Sequence, residues 1–150
     1  MDNQEKQLQA ERMADLTFAL LEQCQIKQER IASSLQLTVA EFKLLRSFRS
    51  DLVVTAGELA KRMKLSSSRL TRILDGLVAK GLARRDVGSS DRRVMEVVLT
   101  KRGTDIQNQL NATFLRTHED ILDLLPDGAG DSVLLAMEKL RDAMNEWVKD

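Results

Sequence analysis

The hydrophobic period of this chain switches from helix to strand at Gly81, and that change constrains the fold more than any other feature. Before it, Leu70, Ile73, Leu74, Leu77 and Val78 fall at the three- and four-residue steps that place apolar side chains on one stripe of a helix. After it, Leu82 to Val87 and Val94 to Leu99 read as two short strands. Between them lies a polar, turn-forming tip, Gly88-Ser89-Ser90-Asp91-Arg92-Arg93. Gly81 suits the left-handed residue that closes a helix C-terminus. A helix therefore hands over directly to a hairpin.

Upstream, start signals mark two more short helices. Thr38-Val39-Ala40-Glu41 and Thr55-Ala56-Gly57-Glu58 both read as capping boxes. Phe42, Leu44, Leu45 and Phe48 give the first an apolar face, and Leu59, Ala60 and Met63 point inward from the second. Ser66 is an N-cap for the striped helix. Longer helices flank this group, because 150 residues contain a single proline, Pro126, and seven glycines. Gln4 to Ser34 reads as one helix, with Met13, Leu16, Leu20 and Cys24 recurring and Leu21 alongside. Thr100 caps a fifth helix running towards Leu125, with Ile106, Leu110, Phe114, Ile121 and Leu125 on one side. After the break at Pro126-Asp127-Gly128-Ala129-Gly130, Val133, Met137, Leu140, Met144 and Trp147 form a heptad-like stripe.

The predicted fold is mainly α: a winged helix-turn-helix, with a three-helix core and a β-hairpin wing, between long terminal helices. Residues 37–103 form the winged domain, and residues 1–36 and 104–150 form a helical dimerisation region. The terminal stripes carry more apolar surface than one small domain can cover. Leu16, Leu20, Val133, Met137, Leu140, Met144 and Trp147 are therefore assigned to a homodimer interface, two-fold pairing being the commonest closed symmetry.

Charge narrows the class of partner. The 23 Lys and Arg balance the 23 Asp and Glu overall. From Thr55 to Arg102, however, 12 Lys and Arg stand against 5 Asp and Glu, a net of +7, leaving −7 on the remainder. A basic middle on an acidic frame is what a phosphate-facing module requires. No apolar run approaches the ~20 residues that cross a bilayer. Met1 to Arg12 is polar, without a signal-peptide core, and Cys24 is the single cysteine, so a cytoplasmic location without membrane contact is expected.

Two clusters carry the candidate chemistry. Ser66, Ser67, Ser68, Arg69, Thr71 and Arg72 occupy the first turns of the fourth helix, away from its stripe. Short hydroxyls and arginines near a helix N-terminus suit base edges and phosphates of a major groove. The hairpin adds Asp91, Arg92 and Arg93 at its tip and Arg84 and Arg85 on the preceding strand. Arginines on a projecting loop fit the narrow minor groove, and Asp91 can fix one of them by a charge-assisted hydrogen bond. Double-stranded DNA is thus the expected partner.

These residues resemble the MarR family of bacterial regulators. The matching stretches are Leu37 to Phe42, Thr55 to Ala60, Ser66 to Leu77, Lys80-Gly81-Leu82, Arg85, Asp91-Arg92-Arg93 and Val98 to Gly103. The resemblance implies a homodimer on a palindromic operator, acting as a repressor. It gives the recognition-helix role to Ser66 through Arg72 and the minor-groove role to Arg93 with Asp91. It makes Arg85 a phosphate contact or a wing brace. It also implies release by a small aromatic or phenolic effector. Gly88-Ser89-Ser90 departs from relatives that carry proline and acidic residues there. The competing readings are a winged-helix module for protein–protein interaction and a redox sensor acting through Cys24.

Other residues attract attention with less reason. Cys24 lies on an apolar stripe and reads as a small buried hydrophobe. His118, near Glu119, Asp120 and Asp123, reads as part of a solvated face, so no metal is expected. Met13, Met63, Met95, Met137 and Met144 read as core filler. No nucleophile–base pair, phosphate loop or metal motif is present, so neither an enzyme nor a cofactor is expected.

Overall fold

Three of the helices begin where a hydroxyl reaches their free amides. Thr38 Oγ1 accepts from the Glu41 N–H at 3.1 Å, Thr55 Oγ1 from Glu58 at 3.1 Å, and Ser66 Oγ from Arg69 at 3.3 Å. They open α2 (Val39–Ser47), α3 (Ala56–Met63) and α4 (Ser67–Ala79). Neither expected capping box closes in the reverse direction. Glu58 instead accepts from Arg62 Nε at 3.2 Å, and Glu41 is buried against Lys80. For Glu58 a partner one turn on in the same helix takes the place of the return bond, and for Glu41 a tertiary partner does.

The computed structural model describes residues 1–88 and 90–149. Its order is α1 (Asn3–Ser34), α2, β1 (Val53–Thr55), α3, α4, β2 (Ala83–Val87), β3 (Met95–Leu99), α5 (Lys101–Asp123) and α6 (Gly130–Val148). The predicted hairpin is present, in the register Ala83↔Leu99 through Val87↔Met95. A third strand joins it: β1 pairs antiparallel with β3, Val54 opposite Val97, giving the sheet order β1-β3-β2. The sequence reading contained no strand at Val53.

By its contacts the chain divides into two units, Met1–Asn111 and the segment from Ala112 onward. In the first, Phe42, Leu44, Leu45, Phe48, Leu59, Leu70, Leu74 and Leu77 bring α2, α3 and α4 together as a buried core. The last turn of α1 joins through Ile31 and Ala32, and α5 joins through Leu110. Two polar side chains serve the open carbonyls at the end of α2. Arg62 donates to Ser47 O at 2.9 Å, and Gln107 donates to Leu45 O at 3.0 Å.

At the junction of α4, hairpin and α5, Gly81-Leu82 and Leu99-Thr100…Gly103 interlock. Gly81 takes φ +71°. Thr100 donates its N–H to Leu82 O at 3.1 Å and its hydroxyl to Gly81 O at 2.6 Å. The same hydroxyl accepts from the Gly103 N–H at 3.0 Å. A Cβ on Gly103 would lie 1.8 Å from the Leu82 carbonyl oxygen, so only glycine lets α5 approach this closely.

Much of the terminal helices is different. Before Ile31, α1 buries no residue, and α6 buries none at all. Phe18 is 74% exposed, Met137 61% and Trp147 77%. Leu16, Leu20 and Met144 are also exposed, while Val133 and Leu140 are half-buried. Two expectations are corrected here. Cys24 is exposed on α1 rather than buried. Met13, Met95, Met137 and Met144 are exposed rather than core, leaving Met63 half-buried. A one-sided stripe specifies which face is apolar, not whether the same chain supplies its cover. No described helix is long and apolar enough to cross a membrane.

Candidate nucleic-acid interface

The stripe of α4 decides which of its residues face outward. Leu70, Leu74 and Leu77 are sequestered, so Ser67, Ser68, Arg69, Thr71 and Arg72 are turned to solvent beside the capping Ser66. Ser66 and Ser68 share a hydroxyl contact of 3.3 Å, and Thr71 donates back to Ser67 O at 2.8 Å. Arg69 and Arg72 form no ion pair among the described residues. The helix N-terminus, three serines and two unpaired arginines thus form one exposed polar surface.

The wing supplies the second surface. Its loop is closed by the Gly88 N–H on Val94 O at 2.8 Å and the Val94 N–H on Asp91 O at 3.1 Å. Gly88 is required there, since a Cβ would stand 2.7 Å from the Asp91 carbonyl oxygen. Asp91 grips Arg93 three times. Oδ1 accepts from the Arg93 N–H at 3.0 Å and from Nε at 3.1 Å, and Oδ2 accepts from Nη2 at 3.2 Å. The Arg93 guanidinium, followed by its backbone N–H, holds the Asp91 carboxyl below its ordinary range. The Arg93 side chain is nevertheless 91% exposed, and its Nη1 group makes no bond among the described residues. An exposed arginine fixed in pose by its neighbour is preorganised for an anionic acceptor. Arg92 is exposed beside it. Ser89 lies outside the described residues; Ser90 is exposed.

Arg85 is engaged differently. Its Nη2 donates to Asp75 Oδ1 on α4, tying β2 to the helix that carries the serines and arginines. Arg84 pairs with Asp86 at 3.3 Å on its own strand. Asp75 fell within the matched stretch Ser66 to Leu77 but was given no role in the sequence reading. The pairing of Lys80 with Glu41 was also not foreseen, because 39 positions separate the two residues.

The other candidates come together less. Among the described residues, no three His, Cys, Asp or Glu side chains converge as metal ligands would. His118 is half-buried rather than solvated: its ring lies 4.5 Å from that of Phe114, with Nδ1 2.7 Å from Phe114 O. Cys24 stands apart on α1.

A helix-turn-helix whose second helix is followed by a braced, projecting hairpin defines a winged helix-turn-helix protein. Comparison with known proteins agrees: the MarR family profile matches residues 37–95. The multiple antibiotic resistance protein MarR of Escherichia coli is 40% identical over 77 residues, which span 51% of this chain and 54% of that protein. The match thus covers about half the length of the curated relatives. A cysteine-to-serine mutant of MarR from E. coli is 30% identical across 84% of this chain and 94% of that one, with a TM-score of 0.64. The same mutant, crystallised with operator DNA, is 29% identical, covers 81% and 91% of the two chains, and has a TM-score of 0.64. The chain belongs to the MarR family of winged-helix transcription regulators.

Proposed function

We propose that this protein is a repressor that binds a palindromic operator as a homodimer. The observation that carries this reading is the pairing of two exposed basic surfaces on one braced frame. They are the Ser66–Arg72 face of α4 and Arg93, held by Asp91 at the wing tip. The related E. coli mutant crystallised with operator DNA supports it. Two copies would present their α4 helices to successive major grooves, ~34 Å apart along the duplex. Ser66, Ser67, Ser68, Arg69, Thr71 and Arg72 would read or grip the major groove. Arg93 would enter the flanking minor groove, with Arg92 on phosphate and Arg85 holding the wing at its angle.

Dimerisation would cover the exposed apolar faces. Leu16 and Leu20 of α1, and Val133, Met137, Leu140, Met144 and Trp147 of α6, would pack against a second copy. A surface with this much exposed apolar area is otherwise rare on a soluble monomer. The functional division follows: residues 37–103 read DNA, and residues 1–36 and 104–150 set the distance between two such heads. A small aromatic or phenolic effector that favours one head spacing over another would release the operator.

The test uses a duplex selected by the wild-type protein from a random-sequence pool and titrated by fluorescence anisotropy. Binding should weaken steeply with salt. Arg72→Ala and Arg93→Ala should each reduce affinity by about 5- to 100-fold, on the order of 1–3 kcal/mol, without altering the dimer. Wild-type affinity in both variants would refute the assigned interface.

A further inference from the structure

Lys80 is a residue that neither helix-turn-helix chemistry nor the wing absorbs. It sits at the C-cap of α4, yet its ammonium group reaches two other elements. Nζ donates to Gln36 O at 2.8 Å and lies 3.1 and 2.8 Å from the two Glu41 carboxylate oxygens. Gln36 is the left-handed residue, φ 58°, just past the last turn of α1. Its carbonyl is thus directed by the way α1 ends. Glu41, on α2, keeps only 7% of its side chain exposed, against 38% for Lys80. Its carboxyl lies over Gly76 of α4, where a Cβ would meet it at 3.4 Å.

Lys80 is therefore clamped, and through it the end of α4 is tied to the exit of α1. The opposite end of α4 carries the exposed serines and arginines, while α1 carries an uncovered apolar stripe.

We propose that Lys80, clamped by Glu41, is the positioning residue that transmits the setting of α1 to the DNA-reading helix α4. It would act on the reading face without touching DNA. The proposal rests on the homodimeric operator-binding reading, in which α1 belongs to the dimer frame and α4 to the head. The ammonium bonded to the Gln36 carbonyl adds a polar tether between frame and head, beside the packing of Ile31 and Ala32.

Ordinary structural damage must be separated from loss of this tether. Lys80→Met strands a buried carboxylate and should destabilise the fold. The double variant Lys80→Met/Glu41→Gln removes both charges and should recover most of the melting temperature. The tether to Gln36 remains cut in both. Affinity for the selected duplex should therefore stay about tenfold weaker in the double variant, while Lys80→Arg binds as wild type. A second readout needs no DNA. Spin labels on Ala79→Cys in a Cys24→Ser background report the α4-to-α4 distance in the free dimer, and the distribution should broaden in the double variant. Recovery of both affinity and a narrow distribution alongside stability would overturn the coupling role. If the wild-type chain is monomeric or selects no duplex, the operator-binding reading itself fails instead.

Discussion

The winged head and the terminal helices solve the same problem in opposite ways. In the head, each apolar stripe meets another from the same chain, so Phe42, Leu44, Leu45, Phe48 and Leu59 are all but sealed from water. Its remaining polar ends are served by Arg62, Gln107 and Thr100. On α6 and most of α1 the stripes meet no such partner, and Leu16, Leu20, Met137 and Trp147 stay exposed. The difference teaches that regular patterning and self-sufficiency are separate properties. A head complete in itself can be carried as a rigid piece, whereas helices with uncovered faces are suited to assembly.

The sharpest way to break this comparison is to damage the head's interior. Leu45→Ala should cost about 2–5 kcal/mol in denaturant unfolding. Gly103→Val should cost at least about 3 kcal/mol, because its Cβ has no place beside the Leu82 carbonyl. If either behaves as a surface change, the head is not the sealed unit described. The matching assault on the terminal helices should act on assembly. Met137→Asp combined with Leu20→Asp should yield monomers by sedimentation at micromolar concentration, and lower thermal stability in a concentration-dependent way. A dimer of unchanged affinity would move the interface elsewhere.

A smaller effect sharpens the account of the wing. The Asp91 carboxyl is held below its ordinary value of 3.8. A depressed carboxyl contributes fully above that ordinary value and fades as pH falls through its lower folded one. The Asp91–Arg93 clamp should therefore stay closed from about pH 5 to 8, and wing amide shifts followed by NMR should not titrate with it there. Asp91→Asn at neutral pH should free the Arg93 side chain and weaken duplex binding by about 2- to 5-fold, since an exposed pair contributes little beyond pose.

How legible was this in sequence? Thr38, Thr55 and Ser66 cap helices as predicted, because an N-cap bond spans only three residues. The hairpin was legible for a similar reason, its strands being joined by a short polar loop. Strand β1 was not: three residues carry no period, and Val54 finds its partner Val97 far along the chain. The candidate reading surface was visible as exposed residues on a striped helix. The resemblance offered Arg85 as a phosphate contact or a wing brace, but its partner Asp75 was not legible, since an aspartate on a solvated helix face predicts no particular partner.

The sequence by itself determined the helices, the hairpin, the outward face of α4 and the Asp91–Arg93 neighbours, all set by bonds or periods a few residues long. Tertiary structure alone decided where Glu41 turned and why Gly103 must lack a side chain. It also decided which apolar stripes remained uncovered. Those outcomes depend on what lies across a packed interface, and burial couples residues by distance in space rather than by distance along the chain.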